Sequence, residues 1–226
     1  MSRTWFFDLD GTLADTDRDI RLAWKAAIAD LGLECPSFDD TFIAGPPFDE
    51  MAKSLFPDAY TPGLADALRA GFASHYDSDG FPSTREYPGA IDAVKAIKAR
   101  GDRVYIATNK RFAGATAMAR HFGWDALFDG LYAGDMHKDD SIGKLSKGPL
   151  LALAIRETGA RREDCVMVGD THGDFEAARE NGIASVAVAW GYGKPEELAL
   201  ADVTVARADE IPNLFSGRPK AATPQV

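Results

Sequence analysis

The chain has 226 residues, 46 % of them apolar and 27 % charged, an ordinary balance for one large domain or a core with a smaller insertion. Its formal net charge of −10 argues against the broad basic face that nucleic acid or an anionic membrane requires, while a small anionic substrate needs only a local positive spot. No apolar stretch is long enough to span a bilayer, and neither the two cysteines, Cys35 and Cys165, nor the four scattered histidines follow a metal-ligand spacing.

In chain order, the first predicted element is a short buried strand over residues 5–7 of WFFDLDGTLAD. Two carboxylates, Asp8 and Asp10, follow it, then Gly11 and Thr12. Two ionised carboxylates about 4 Å apart repel by roughly 4 kcal/mol at an effective dielectric near 20. A cation, a shared proton or a turn that splays them must offset this, and Asp with Gly alone would suit a turn.

Residues 15–85 read as helical. DIRLAWKAAIADLG sets Ile20, Trp24 and Ala27 on one face, continued by Leu31, and DEMAKSLF and GLADALRAGFASHY are further helices. No strand is expected there. From about residue 86 strand and helix alternate. PGAIDAVKAIKARG is a helix between Pro88 and Gly101, RVYIATNK a buried strand ending in Thr108, and FAGATAMARHFG a small-residue helix stopped by Gly123. GPLLALAIRETG is a helix from Pro149 to Gly159, DCVMVGDTHGD a strand with carboxylates at its end, FEAARENG a short helix, and SVAVAW and DVTVA the last strands. The tail from about residue 216 is polar, contains proline and is expected to be disordered.

This alternation predicts an α/β fold with a Rossmann-like, doubly wound, mainly parallel sheet. The core would comprise 1–14 and 86–215, with an all-helical cap inserted at 15–85 and a tail at 216–226. Ligands of such sheets bind beyond the carboxyl ends of the strands, where Asp8, Thr108 and Asp170 all fall. The reduced thiols and the lack of a signal-peptide pattern point to a cytoplasmic protein.

DLDGTL at 8–13, ATNK at 107–110, Lys147 in SKGPLL and GDTHGD at 169–174 resemble, in order, the four motifs of the haloacid dehalogenase-like hydrolase superfamily. The helical insertion after the first motif resembles its C1 cap. VGDTHGD, WGYG and GPP at 45–47 are similar to the phosphoglycolate phosphatase-like branch.

The resemblance implies Asp8 as nucleophile toward phosphorus, forming a mixed anhydride that water later opens. It implies Asp10 as general acid for the leaving alcohol and then base for water, with a neighbouring carboxylate helping to keep it protonated. It also implies Mg²⁺ held by the side chains of Asp8 and Asp170 and the Asp10 backbone carbonyl, with Asp174 in the second shell. Oxygen-rich donors without arranged Cys or His suit that ion. Thr108, the Asn109 backbone N–H, Gly11 and Lys147 would take the phosphate. Lys147 sits where an ammonium joins a helix N-terminus. Lys138 and Lys144 compete for its place, and the Lys-Pro pair common at that motif is missing. Lys110 reads as a solvated loop residue as readily as a site residue. Arg18, Arg21 and Lys53 are the cap cations to consider for a substrate carboxylate or second phosphate. GPP reads equally as a substrate-facing loop or a rigid break.

The expected activity is therefore a Mg²⁺-dependent phosphatase acting on a small phosphorylated metabolite, with phosphoglycolate first in line. A nucleotidase, a pyrophosphatase or a phosphosugar mutase is the alternative. Dehalogenases of this kind lack the second aspartate, and a phosphonatase needs a cap lysine for a Schiff base, for which only Lys25 and Lys53 are available. A non-catalytic relative or a receiver-type switch is the competing class. The sequence does not fix an oligomeric state.

Overall fold

The computed structural model describes residues 2–46, 48–78, 80–136 and 146–215. Its centre is a six-stranded parallel sheet made of β1 (Thr4–Phe7), β4 (Arg103–Thr108), β5 (Gly130–Ala133), β6 (Cys165–Gly169), β7 (Ala184–Val188) and β8 (Val203–Val205), in the order β5-β4-β1-β6-β7-β8. A second sheet pairs β2 (Ala14–Asp15) with β3 (Arg85–Glu86) in antiparallel fashion. Every residue of β1 is buried, because helices cover both faces of the sheet.

Alternation along each strand divides the core in two. Trp5 and Phe7 face the same side as Val104, Ile106, Val166 and Val168, and pack on α5 (Ala90–Ala99) and α6 (Phe112–His121). Phe6, Tyr105 and Met167 face the other side and pack on α7 (Lys147–Thr158) and α8 (His172–Asn181). A short α9 (Pro195–Leu198) precedes β8.

Between β2 and β3 lie α1 (Asp17–Asp30), α2 (Phe38–Thr41), α3 (Phe48–Leu55) and α4 (Pro62–Ser78). These helices share their own apolar cluster around Trp24, whose ring stacks on Phe48 with centroids 4.0 Å apart. α1 and α4 approach closely at Gly71, where a Cβ would lie 3.1 Å from that of Ala27.

Several elements differ from the sequence reading. Trp24 and Ala27 are buried, but Leu31 is 40 % exposed because α1 ends at Asp30; Ile28 carries the stripe instead. The chain has strand pairing at both ends of the insertion, where none was expected, and β5 and α2 were not anticipated. α7 begins at Lys147, two residues before Pro149. Lys138, Lys144 and the tail lie outside the described residues. Cys35 and Cys165 are free thiols, the latter buried. Among the described residues no helix is long and apolar enough to cross a membrane.

Candidate active site

The register of three adjacent strands assembles the site. Phe7 at the end of β1 pairs with Ile106 on one side and Val168 on the other. The next residues therefore emerge together at the carboxyl edge, with Asp8 after β1, Thr108 closing β4 and Asp170 just beyond β6. Strand order also reverses around β1, and such a switch point opens a crevice for ligands.

Asp8, Asp170 and Asp174 are buried, and one carboxylate oxygen from each lies within 4.8 Å of the others. At that separation and an effective dielectric near 20, two charged carboxylates repel by roughly 3 kcal/mol. Lys147, 5 % exposed, offsets part of this. Its Nζ donates to Asp8 Oδ1 at 2.8 Å and to the Ala107 carbonyl at 2.8 Å, and lies 3.1 Å from Asp174 Oδ1.

Burial pushes the Asp8 carboxyl from its ordinary 3.8 up to about 6, against the pull of Lys147 and with Asp174 and Asp10 adding to the rise. Burial, Asp174 and Asp8 together raise Asp170 as well. For Lys147, burial disfavours the charged form, but Asp174 and Asp8 outweigh it and its pKa lies above the ordinary lysine value.

Asp170 is fixed through both oxygens. Thr12 Oγ1 donates to Oδ1 at 3.2 Å, and the Tyr192 N–H donates to Oδ2 at 2.7 Å. Gly11, at φ +80°, leaves room for this carboxylate, since a Cβ there would fall on Asp170 Oδ2. Gly191 and Gly193 are needed as well, because a Cβ there would collide with the Asp170 side chain and backbone carbonyl respectively. WGYG is thus a backbone sleeve around Asp170, a role its sequence did not disclose.

Asp174 Oδ2 accepts from the Asp170 and Thr171 N–H groups and from Thr171 Oγ1, forming the capping box of α8. Its Oδ1 is buried and has no hydrogen-bond donor of good geometry among the described residues, although Lys147 is near. All-oxygen, carboxylate-rich donors with an unsatisfied buried oxygen fit a hard divalent cation such as Mg²⁺. Asp174 lies in the same cluster as Asp8 and Asp170.

Thr108 Oγ1 accepts the Lys110 N–H at 3.2 Å, which leaves its own proton to donate. Asn109 is half-buried, and its Oδ1 has no partner among the described residues. Lys110 is not solvated: its side chain is 8 % exposed and its Nζ contacts both Asp10 oxygens at 2.9 and 3.1 Å.

The three cap cations do not join this group in the described structure. Arg18 is exposed. Arg21 pairs with Asp17 at 2.7 Å and lies over the Phe42 ring, and exposed Lys53 lies over Tyr60. Arg21 instead lines a cavity of about 470 Å³ with Asp15, Asp17, Phe42, Tyr87 and Tyr192. None of Asp8, Asp10, Thr108 and Lys147 lines it, so this cavity lies beside the acidic cradle. Lys25 is exposed and paired with Asp39, unlike the desolvated amine that Schiff-base chemistry favours. Gly45 lies 3.4 Å, measured from where its Cβ would be, from the Thr171 methyl, so its loop abuts the turn that carries Asp170. Pro47 lies outside the described residues.

A family model described as haloacid dehalogenase-like hydrolase matches residues 3–182. The chain belongs to that family. This hydrolase is 31 % identical over 198 residues to a 5'-nucleotidase of Pseudomonas aeruginosa, covering 85 % of each chain. It is 31 % identical over 193 residues to a phosphoglycolate phosphatase of Agrobacterium fabrum, covering 82 % of this chain and 80 % of that one. Tyrosine-protein kinase PtkA of Mycobacterium tuberculosis is 32 % identical over 203 residues, 88 % of this chain and 66 % of its own length. Among solved structures, a haloacid dehalogenase-like family hydrolase from Streptococcus pneumoniae superposes with a TM-score of 0.80 at 25 % identity, covering 95 % of this chain and 98 % of its own. The hydrolase is an enzyme of the phosphoric monoester class.

Proposed function

We propose that this phosphatase hydrolyses a small phosphorylated metabolite of the phosphoglycolate type through an aspartyl-phosphate on Asp8, with Mg²⁺ as its cofactor. The observation that carries the reading is the placement of Asp8. Lys147 holds its Oδ1, leaving Oδ2 as the attacking oxygen, and both lie beside the Asp170–Asp174 pair.

Asp8 Oδ2 attacks phosphorus as the bond to the leaving oxygen breaks, and Asp10 gives that oxygen its proton. Water then attacks the phosphorus of the acyl phosphate while Asp10 takes the water proton, which releases inorganic phosphate and restores Asp8. Thr108 and Lys147 bind the phosphoryl oxygens, and the Asn109 N–H and Gly11 are further contacts. When bound, Mg²⁺ would be held by Asp8, Asp170 and the Asp10 carbonyl, with Asp174 in support, and would supply the positive charge that lets carboxylates and a phosphate dianion meet. Arg18, Arg21 and Lys53 stay as candidates for the distal part of the substrate after movement of the helical insertion, which we assign to 15–85 as a cap on a core of 1–14 and 86–215.

The names of the relatives span a nucleotidase, a kinase and a phosphoglycolate phosphatase, so the leaving group is the open quantity. A screen of phosphoglycolate, nucleoside monophosphates and sugar phosphates, scored by kcat/KM with Mg²⁺ and with chelator, tests the reading. Phosphate release from phosphoglycolate in preference to the nucleotides, lost on chelation, is the expected result. Preference for a nucleotide overturns the substrate, and turnover that survives chelation overturns the cofactor.

A further inference from the structure

Lys110 connects three parts of the molecule. Its backbone N–H donates to Thr108 Oγ1, and its Nζ donates to both oxygens of Asp10. The remaining ammonium proton meets Tyr76 Oη at 2.9 Å, with the Nζ 4.3 Å from the centre of that ring. Tyr76 belongs to the last turns of α4, on the helical insertion, and is 3 % exposed. Its ring is held by Phe72, stacked at 5.1 Å, and by Phe81, edge-on at 5.2 Å. Arg111 and Asp77 close the same seam with a 2.7 Å ion pair.

An ammonium with all three protons engaged on fixed acceptors is an oriented group. Asp10, held through both oxygens, cannot rotate its carboxylate freely, and the ammonium that holds it is itself held by the insertion. We propose that Lys110 is a positioning residue for Asp10, and that Tyr76 sets the place of Lys110, so that the seating of the helical insertion on the core aims the acid–base carboxylate. This inference rests on the phosphatase reading above and adds a residue pair to it.

The consequence is specific to proton donation. A misaimed Asp10 slows loss of a leaving group that needs a proton more than loss of one that departs readily as an anion. The test compares kcat/KM, which reports the steps up to leaving-group loss, for phenyl phosphate and p-nitrophenyl phosphate, two esters of similar shape. Lys110→Met is expected to lower kcat/KM for phenyl phosphate by about tenfold more than for p-nitrophenyl phosphate, with Lys110→Arg recovering much of the difference. Tyr76→Phe, which keeps the ring and removes the hydroxyl, should shift the ratio the same way by a smaller factor. The double variant Lys110→Met/Tyr76→Phe should be no worse than Lys110→Met, because the two residues act through one contact.

An equal loss on both esters, or an additive double variant, overturns the proposal. If Lys110→Met does not fold by circular dichroism, the ratio for Tyr76→Phe decides alone, and no change in it overturns the proposal. If the wild-type chain hydrolyses neither ester nor any metabolite in the screen, the phosphatase reading itself has failed, a result separate from any outcome with the variants.

Discussion

Asp8 and Asp170 compete with their surroundings for a charge that the fold does not fully compensate. Asp8→Asn should reduce turnover by more than about a thousandfold while leaving the melting temperature equal to or above that of wild type, because it removes the proposed nucleophile and one member of a repelling cluster. Steady-state kinetics and a thermal melt check both halves.

Gly11→Ala should fail differently. The residue would have to adopt φ near +80°, a strain of about 1–3 kcal/mol for a non-glycine residue, and its methyl would occupy the place of Asp170 Oδ2. We expect a lower melting temperature together with a loss of at least about tenfold in Mg²⁺ affinity by calorimetry, as supporting contacts of a metal ligand are commonly worth that much.

The raised pKa of Asp8, up to about 6, has a definite sign. The unfolded chain releases this proton near 3.8, so the metal-free native state holds it to higher pH. The associated stabilisation is fully present below about pH 4 and is lost as pH rises through about 6, an effect of order 3 kcal/mol at most. Asp170 shifts in the same direction. On the proposed cofactor reading Mg²⁺ needs the deprotonated forms, so added Mg²⁺ is expected to stabilise the protein increasingly over the same rise in pH. Melts across pH 4–8, with chelator and with Mg²⁺, should therefore diverge as pH increases; parallel curves would contradict the carboxylate assignment.

Among elements, the helical insertion has an apolar cluster of its own, joined to the one on the sheet through Ile20 and Phe72. Trp24 stacks on Phe48 and also packs against Phe42 and Phe72. Trp24→Ala should cost about 3–5 kcal/mol of local stability, the range for deleting a large buried aromatic. Hydrogen exchange is expected to speed up more in α1 and α4 than in β1, β4 and β6, since Trp24, Phe42 and Phe48 pack in the helical cluster alone, while Phe72 also reaches the cluster on the sheet. Uniform acceleration would mean that the two parts unfold as one.

The elements also differ in how plainly the sequence announced them. β1, β4, β6 and β7 are covered on both faces and read as largely apolar runs. β5 has four residues, GLYA, on the outer edge of the sheet, and neither its length nor its period separates it from a loop. Leu31 fits the α1 stripe by periodicity, but the helix stops before it and the side chain is left outside.

At the scale of the whole molecule, polar contacts at Tyr192 and at Lys110 and Arg111 stitch the insertion to the sheet. Tyr192, from the sleeve around Asp170, accepts the Thr16 and Asp17 N–H groups at 2.6 and 3.0 Å and so caps the start of α1. Within the insertion, Asp19 ties α1 to the segment that leads into β3, accepting from the backbone of Ser83 and Thr84 and from the Thr84 hydroxyl. Lys110 and Arg111 hold the end of α4. Tyr192→Phe should lower the melting temperature by the equivalent of about 1–3 kcal/mol, since two buried N–H groups lose their acceptor. If the stitch also restrains the insertion, small-angle scattering of that variant should show a larger radius of gyration; an unchanged value would confine the effect to stability.

The sequence by itself determined the parallel sheet, its helical insertion and the acids at the strand ends, because runs of apolar residues and the residues that stop them are local properties. It also put Lys147 close to a helix start, and the structure makes it the first residue of α7. Only the tertiary structure decided that Lys110 holds Asp10 and that WGYG wraps Asp170. Lys110 and Asp10 are 100 positions apart, and a side chain's partner on another strand or loop depends on strand register and on what is already packed beside it, neither of which any local stretch of sequence contains.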